Sequence, residues 1–283
     1  VEAAELDYDL PEAAVAQRPV EPRDRARLLL DRGPGAAPAH RVVADLPDLL
    51  DPADLLVVND TRVRRARLRL RRETGGAAEV LLLDDLDGDG RRWEALVRPS
   101  RKVRPGETLT GEGGLAVAVG DDLGEGRRRV EVLAGDPDAA GEVPLPPYIH
   151  EPLADDERYQ TVYSRRPASA AAPTAGLHLT DAVLARCRTA SVELVVGLDT
   201  FRPIAVERVE EHPMHTESYE VPQATWDAVE ATRAAGGRVV AVGTTVVRAL
   251  ESAAARGELT GRTDLLITPG HRWACVDRLL TNF

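Results

Sequence analysis

The stretch 238–257, RVVAVGTTVVRALESAAARG, predicts the fold more directly than any other segment of the chain. It begins with a run of small and β-branched apolar residues, which is typical of a strand buried on both faces. Gly243 ends that run, and Thr244 and Thr245 open a helical pattern that stops at Gly257. A buried strand that leads into a helix in this way indicates a parallel α/β layer.

Segments on either side extend this layer. The run LLVVN at 55–59 predicts a second buried strand, and DLLITPG at 264–270 predicts a third. The run TWDAVEATRAAGG at 225–237 predicts a helix from a threonine cap to a glycine stop, and TDAVLARCR predicts another that begins at Thr180. Both ends of the chain therefore contribute to an α/β layer.

The middle of the chain has a different character. Short alternating runs such as RRWEALVRPS and GLAVAVGDDL are separated by Gly- and Asp-rich turns, which favours an antiparallel barrel or sandwich. We therefore expect a mixed α/β domain formed by residues 1–60 and 151–283. An antiparallel β-barrel domain, residues 61–150, is inserted between them.

The composition limits the class of protein. The net charge of −11, from 36 basic and 47 acidic residues, argues against a protein that coats nucleic acid non-specifically, although it leaves room for a local basic patch. The first residues lack a signal peptide pattern, no apolar run approaches the roughly 20 residues of a membrane span, and Cys187 and Cys275 have no motif spacing. We expect a cytoplasmic protein with reduced thiols, and, because the chain begins without Met, a longer translation product.

Two stretches of the α/β domain could form a ligand site. The junction at Gly243 presents backbone N–H groups and two hydroxyls at the carboxyl edge of a sheet, where α/β folds bind ligands. The alternative is an ordinary helix start, with Arg248 and Glu251 as a surface ion pair. The stretch 171–180, AAPTAGLHLT, places small residues and His178 before a helix, and is otherwise a simple turn.

Two further stretches carry polar groups. In 198–204, LDTFRPI, Arg202 stands before a proline and could bind a carboxylate or phosphate, or only pair with Asp199. The stretch 209–222, VEEHPMHTESYEVP, is the segment richest in histidines and carboxylates. It lacks the ligand pattern of a zinc site, so it predicts acid/base chemistry or a solvated loop rather than a metal site.

Arginines concentrate in the predicted barrel. In 59–72, NDTRVRRARLRLRR, alternate positions place Arg65, Arg67, Arg69 and Arg71 on one strand face. The stretch 97–106, VRPSRKVRPG, adds Arg98, Arg101 and Lys102 to the basic residues of the domain. A basic face on an acidic protein indicates contact with a polyanion, and the alternative is a solvated strand face.

Taken in order, the motifs of the chain closely resemble the S-adenosylmethionine:tRNA ribosyltransferase-isomerase family of queuosine biosynthesis. The resemblance extends over nearly the whole sequence. The family usually continues for about 50 residues beyond LLTNF, within normal domain size. The motifs are DYDLP, VAQRPVEPRDRARLL, DLLVVNDTRV, EVLLL, WEALVRPSRKVRPG, GEVPLPPYI, YQTVYS, AAPTAGLHLT, DTFRPI, EEHPMHTESYEVP, GGRVVAVGTTVVRALESA and LLTNF.

The resemblance implies a reaction on tRNA that carries 7-aminomethyl-7-deazaguanine at the wobble position. The ribosyl moiety of S-adenosylmethionine is transferred to the aminomethyl group and isomerised, which gives epoxyqueuosine, adenine and methionine. The resemblance also implies an α/β domain with an inserted β-barrel, no metal, and S-adenosylmethionine as co-substrate. We expect a monomer that has no membrane partner.

The implied chemistry assigns roles to residues of this chain. A base is needed for the C5′ protons beside the sulfonium, and a proton donor is needed for adenine. The expected proton carriers are His178, Glu210, Glu211, His212 and His215. The residues expected to bind S-adenosylmethionine are Thr174, Gly176, Arg202, Gly243, Thr244, Thr245 and Arg248, and the residues expected to bind tRNA are Arg65, Arg67, Arg69, Arg71, Arg98, Arg101 and Lys102.

Two other functions are compatible with the sequence. One is a divergent relative that uses S-adenosylmethionine on another acceptor. The other is a non-enzymatic RNA-binding module, which would have no reason to combine EEHPMHTE and GTTVVRALE in one chain.

Overall fold

The protein forms two compact units in a computed structural model. The structure describes residues 1–124, 126–197, 206–212, 214 and 216–282. The α/β unit consists of Val1–Arg62, Pro147–Arg166 and Ala172–Phe283, and the barrel unit consists of Val63–Pro146 and Pro167–Ala171.

The described part of the chain forms strands, α-helices and short 3₁₀ helices. The strands are β1 Arg27–Leu30, β2 Ala39–Val42, β3 Leu55–Asn59, β4 Arg62–Val63, β5 Arg67–Arg71, β6 Ala77–Asp85, β7 Arg92–Arg98, β8 Thr108–Thr110, β9 Ala116–Gly124, β10 Arg127–Ala134, β11 Pro167–Ser169, β12 Thr189–Leu194, β13 Glu217–Glu220, β14 Val239–Val242, β15 Thr260–Thr263 and β16 Arg278–Leu280. The α-helices are α1 Leu46–Leu49, α2 Pro137–Ala140, α3 Asp181–Leu184, α4 Gln223–Ala234 and α5 Thr244–Arg256. Short 3₁₀ helices include Arg23–Arg25, Asp156–Tyr159, Thr174–His178 and Val209–Glu211.

The barrel unit is a closed antiparallel barrel with the strand order β10–β7–β6–β5–β8–β9. Strand β5 alternates, so that Leu68 and Leu70 are buried while Arg69 and Arg71 are exposed. This is the pattern expected when apolar side chains fill the interior of a small barrel. Together with the sheet of the other unit, the barrel confirms the predicted fold class.

The α/β unit contains a six-stranded sheet in the order β15–β13–β12–β3–β14–β16. Strands β12, β3, β14 and β16 are parallel neighbours, and β13 and β15 are antiparallel. Strand β3 is buried at all five positions, as its uninterrupted apolar run predicts. Helix α5 packs against β12, β14 and β3.

The other face of this sheet is covered by an apolar cluster. Leu56 and Val58 of β3 pack there with Ala175, Leu179 and Val183. The segment that contains His178 is thereby held against the central strand. The cluster positions this segment beside the carboxyl edge of the sheet.

Three local predictions were wrong. Helix α4 begins at Gln223, because the Thr225 hydroxyl donates to the Ser191 carbonyl (2.7 Å) and does not cap the helix. Residues 264–268 are not a strand, since β15 has already ended at Thr263. The helix at Thr180 is only four residues long, although Thr180 caps it as expected.

Candidate active site at the carboxyl edge of the central sheet

The Asn59 side chain joins the ends of three elements. Its amide nitrogen donates to the Leu194 carbonyl (2.9 Å) and to the Thr245 hydroxyl (3.2 Å). Its amide oxygen accepts from the backbone N–H of Leu194 (3.1 Å) and of Thr61 (3.2 Å). Because Asn59 is fully buried, the ends of β3 and β12 and the start of α5 are held at one edge of the sheet.

Gly243 forms the junction between β14 and α5. Its φ of 92° lies in the region that favours glycine, and its N–H donates to the Leu280 carbonyl (2.8 Å). A Cβ placed on Gly243 would lie 3.7 Å from Cβ of Ala175. The structure therefore brings the 171–180 stretch and the Gly243–Thr245 junction together, and Thr244 is exposed there while Thr245 is half-buried.

The segment Thr174–His178 is a 3₁₀ helix in which Gly176 lies against the side chain of Tyr163. A Cβ on Gly176 would lie only 1.9 Å from the Tyr163 hydroxyl. The absence of a side chain at Gly176 thus makes room for Tyr163, whereas the sequence suggested room for a ligand. The Tyr163 hydroxyl is buried without a hydrogen bond of good geometry, and the Thr161 hydroxyl is a polar neighbour.

His178 is half-buried in this segment. Its Nδ1 lies 3.4 Å from the Ala175 carbonyl oxygen. Burial lowers the pKa of His178 from its ordinary value, and the nearby charge of Arg23 lowers it further. His178 is therefore held in its neutral form at neutral pH, which is the form that can accept a proton.

Asp60 follows β3 at the same edge and was not singled out from the sequence. Asp60 is 9% exposed. A hydrogen bond with Ser191 stabilises its charged form, and so does the Arg165 guanidinium, which lies 3.5 Å away. Burial raises the pKa of the Asp60 carboxyl, and the carboxylate of Glu193 acts in the same direction. The sequence does contain a signal for Asp60, because a carboxylate directly after a buried parallel strand lies at the ligand-binding edge of the sheet.

The stretch 209–222 does not gather its carboxylates in one place. Glu210 and Glu211 are both exposed, and Glu210 lies 3.6 Å from the Arg208 guanidinium. Glu217 is buried against Arg248. His212 is half-buried, and its Nδ1 has no hydrogen-bond partner in the described part of the chain; His215 lies outside the described residues, as does Arg202.

Arg248 uses its guanidinium within the fold. It pairs with Glu217, and it also donates to the carbonyls of Leu265 (3.1 Å) and Thr263 (3.1 Å). Glu251 does not pair with it, but accepts from the N–H groups of 274–276 at 2.8–3.0 Å. The geometry favours a positioning role for Arg248, and its binding of a substrate carboxylate stays a prediction.

Within the described residues, no group of three or more His, Cys, Asp or Glu side chains could hold a metal ion. No helix there is long and apolar enough to cross a membrane. The polar groups that do converge are those at the sheet edge, namely Asn59, Asp60, Tyr163, Thr245 and the His178 segment.

The predicted tRNA-binding residues divide into two sets. Five of them line one groove of the barrel unit, with a volume of about 1110 Å³: Arg69, Arg71, Arg98, Arg101 and Lys102. Arg67 lies instead beside Glu79 (3.9 Å), and Arg65 precedes β5. The two arginines do not line the groove.

The comparisons with known proteins agree along almost the entire chain. The model of the family described as "Queuosine biosynthesis protein" matches residues 3–283. This chain belongs to that family. Family members named S-adenosylmethionine:tRNA ribosyltransferase-isomerase include one from Rubrobacter xylanophilus, which is 49% identical over 99% of this chain and 84% of its own length.

Another relative of that name, from Symbiobacterium thermophilum, is 49% identical over 99% of this chain and 86% of its own length. A crystal structure of S-adenosylmethionine tRNA ribosyltransferase from Thermotoga maritima is 32% identical, with a TM-score of 0.50. It is matched over 99% of this chain and 84% of its own. As a member of the queuosine biosynthesis family, the chain thus shares both sequence and fold with enzymes.

Proposed function

We propose that this protein transfers and isomerises the ribosyl moiety of S-adenosylmethionine onto 7-aminomethyl-7-deazaguanine at the wobble position of tRNA. The products are epoxyqueuosine-tRNA, adenine and methionine. The observation that carries the proposal is the near-complete match, at 49% identity, to relatives named for ribosyl transfer from S-adenosylmethionine to tRNA.

The sheet edge offers suitable groups for S-adenosylmethionine. The start of α5 presents backbone N–H groups and the exposed Thr244, which suit the carboxylate of the methionine part. Thr174 belongs to the neighbouring segment, which Ala175 brings to Gly243. Arg202 remains a proposed partner of the same carboxylate, and it lies outside the described residues.

Two side chains at this edge are suited to proton transfer. His178 is held neutral by burial and can act as a base, whereas burial favours the protonated form of Asp60, which can act as a donor. His212, Glu211 and His215 remain proposed proton carriers. Glu210 is the weakest of the proposed set, because it is exposed and lies beside the Arg208 guanidinium (3.6 Å).

The proposed tRNA surface is the basic groove of the barrel unit. Its five cations outnumber the two carboxylates of the lining, Glu79 and Glu112, and give a local excess of positive charge on a protein whose net charge of −11 would otherwise repel RNA. A cytoplasmic location and a monomeric state are part of the same proposal, since the reaction requires only tRNA and a soluble co-substrate.

The test is release of adenine from S-adenosylmethionine by the purified protein. It is run with tRNA that carries 7-aminomethyl-7-deazaguanine and with the same tRNA carrying guanine at that position. We expect adenine only with the modified tRNA, together with the mass increase of the epoxyqueuosine product. Adenine release without a change in the tRNA mass would favour a different acceptor, and no release under either condition would contradict the proposal.

A further inference from the structure

The basic groove contains cations that the protein itself does not neutralise. Arg69 is bound by both carboxylate oxygens of Glu142 (2.9 Å each). The other four cations of the groove are exposed and form no ion pair or side-chain hydrogen bond within the described residues: Arg71, Arg98, Arg101 and Lys102. The lining also contains the carboxylates of Glu79 and Glu112, so its cations outnumber its carboxylates by five to two. An excess of cations in one groove of an acidic protein indicates an anionic partner.

Other exposed arginines of the same unit are paired. Arg129 lies 3.6 Å from Asp121, and Arg91 lies 4.0 Å from Glu131. The unpaired state is therefore not a general property of surface arginines in this barrel. Arg104 outside the groove is also exposed and has no ion pair within the described residues, so the groove is distinguished by the four such cations that it brings together.

The barrel unit has no exposed aromatic side chain on which a base could stack. Its sequence contains a single aromatic residue, Trp93, which is 2% exposed. The indole N–H donates to the Gly90 carbonyl (2.9 Å), and the Arg64 guanidinium covers the ring at 4.5 Å. Barrels that bind single-stranded nucleic acid depend on exposed aromatic side chains, each worth about 1–3 kcal/mol per base.

The uncharged part of the groove also lacks groups that identify bases. Leu70, Ala77, Ala78 and Pro99 are apolar, and the groove has no Asn or Gln side chain. The hydroxyls of the lining, on Ser100 and Thr110, can bind phosphate or a ribose 2′-hydroxyl, both of which a duplex presents. With hydroxyls and cations for phosphate and ribose and no exposed aromatic side chain, the lining suits the outside of an RNA duplex better than an unpaired loop.

We propose that this groove binds the sugar–phosphate backbone of a double-stranded stem of the tRNA, without contacts that depend on base identity. The inference rests on the proposed function, because that function supplies tRNA as the partner. Arginine forks and the lysine ammonium contact phosphates.

The experiment measures binding of the full chain to three fluorescent RNAs: unmodified tRNA, a short RNA duplex of arbitrary sequence, and an unstructured single strand of the same length. The test variant is Arg98→Gln with Lys102→Gln. The matched control is Arg91→Gln with Arg129→Gln, which removes the same charge from paired arginines outside the groove. Adenine release with modified tRNA is measured for every variant.

We expect the wild type to bind tRNA and the duplex, and to bind the single strand at least about tenfold more weakly because the barrel unit exposes no aromatic side chain for base stacking. The test variant should lose about tenfold in affinity for both tRNA and duplex. Its log-log salt dependence should be shallower by about 0.7–0.9 for each lost contact. The control should bind like the wild type.

Preferential binding of the single strand, or equal binding by the test and control variants, would overturn the inference. Either result leaves the proposed function intact if the wild type still releases adenine with modified tRNA. A protein that binds tRNA in the predicted way but releases no adenine would contradict the proposed function and support the groove.

Discussion

Asn59 and Thr245 are 186 residues apart in the chain, and a hydrogen bond of 3.2 Å joins the amide of one to the hydroxyl of the other. The same amide binds the N–H and the carbonyl of Leu194. The candidate site is therefore assembled by one buried side chain that connects segments from both ends of the sequence. This arrangement makes the position sensitive to substitution.

Asn59→Ala should lower the free energy of unfolding by about 3 kcal/mol, because it leaves several buried backbone groups without partners. Urea denaturation at neutral pH measures the change. Thr245→Val serves as the comparison, since it removes one partner only and should cost about 1 kcal/mol. Equal losses in the two variants would contradict the connecting role of Asn59.

Gly176→Ala should destabilise the protein by about 1–3 kcal/mol, because its Cβ would lie 1.9 Å from the Tyr163 hydroxyl. Tyr163→Phe removes that hydroxyl and should cost little by itself, since the group lacks a good hydrogen bond. Thermal denaturation of the two single variants and of the double variant measures the coupling free energy between positions 176 and 163. The double variant should recover much of the loss; no recovery would show that Gly176 is required for another reason.

The sequence predicts some of these elements because their signals are local. The run LLVVN corresponds to β3, Leu55–Asn59, and the helical pattern after Gly243 corresponds to α5, Thr244–Arg256. A buried parallel strand and a helix with a stop at Gly257 are both encoded within a few neighbouring residues. Patterns of that kind require no knowledge of distant contacts.

The chemistry of the site depends on distant contacts and is predicted less well. The pKa of Asp60 is raised by burial and by Glu193, which is far away in the sequence. Conversely, the dense stretch 209–222 suggests a cluster, yet Glu210 is exposed and Glu217 is buried against Arg248. The spacing of carboxylates in a sequence does not reveal which of them the fold neutralises.

Arg248→Met should lower the free energy of unfolding by about 3–5 kcal/mol, because the buried Glu217 carboxylate would lose its contact with the Arg248 guanidinium. Adding Glu217→Gln should restore part of that loss, as equilibrium denaturation would measure. If Arg248 has only a structural role, the double variant should bind S-adenosylmethionine with wild-type affinity, as measured by calorimetry. A large loss of affinity in this folded double variant would support direct binding by Arg248.

His178 should make stability depend on pH. Its pKa lies below the ordinary 6.5 in the folded protein, so the unfolded chain binds the proton first as the pH falls. Stability is therefore lost as the pH drops from above 6.5 towards the lowered folded value. His178→Gln should remove this loss, which denaturation at pH 8 and pH 5.5 would detect as a smaller difference than in the wild type.

Asp60→Asn should have opposite effects on stability and on activity. The pKa of the folded carboxyl is raised, so its contribution to stability is fully present below the ordinary 3.8 and is lost as the pH rises through the folded value. The variant has no titrating group at this position. Its stability relative to the wild type should therefore increase as the pH rises from 3.8 to the raised pKa of the folded protein, and should not increase further above that pKa. Denaturation at several pH values measures this difference.

If Asp60 carries a proton in the reaction, Asp60→Asn should also reduce adenine release by about 10²-fold or more while S-adenosylmethionine still binds. Asp48→Asn is the matched control, because it makes the same substitution at an exposed carboxylate of the same unit that is paired with Arg186 (2.5 Å). The control should retain most of the activity. Wild-type turnover by Asp60→Asn, or an equal loss in both variants, would rule out a specific role for the Asp60 carboxyl.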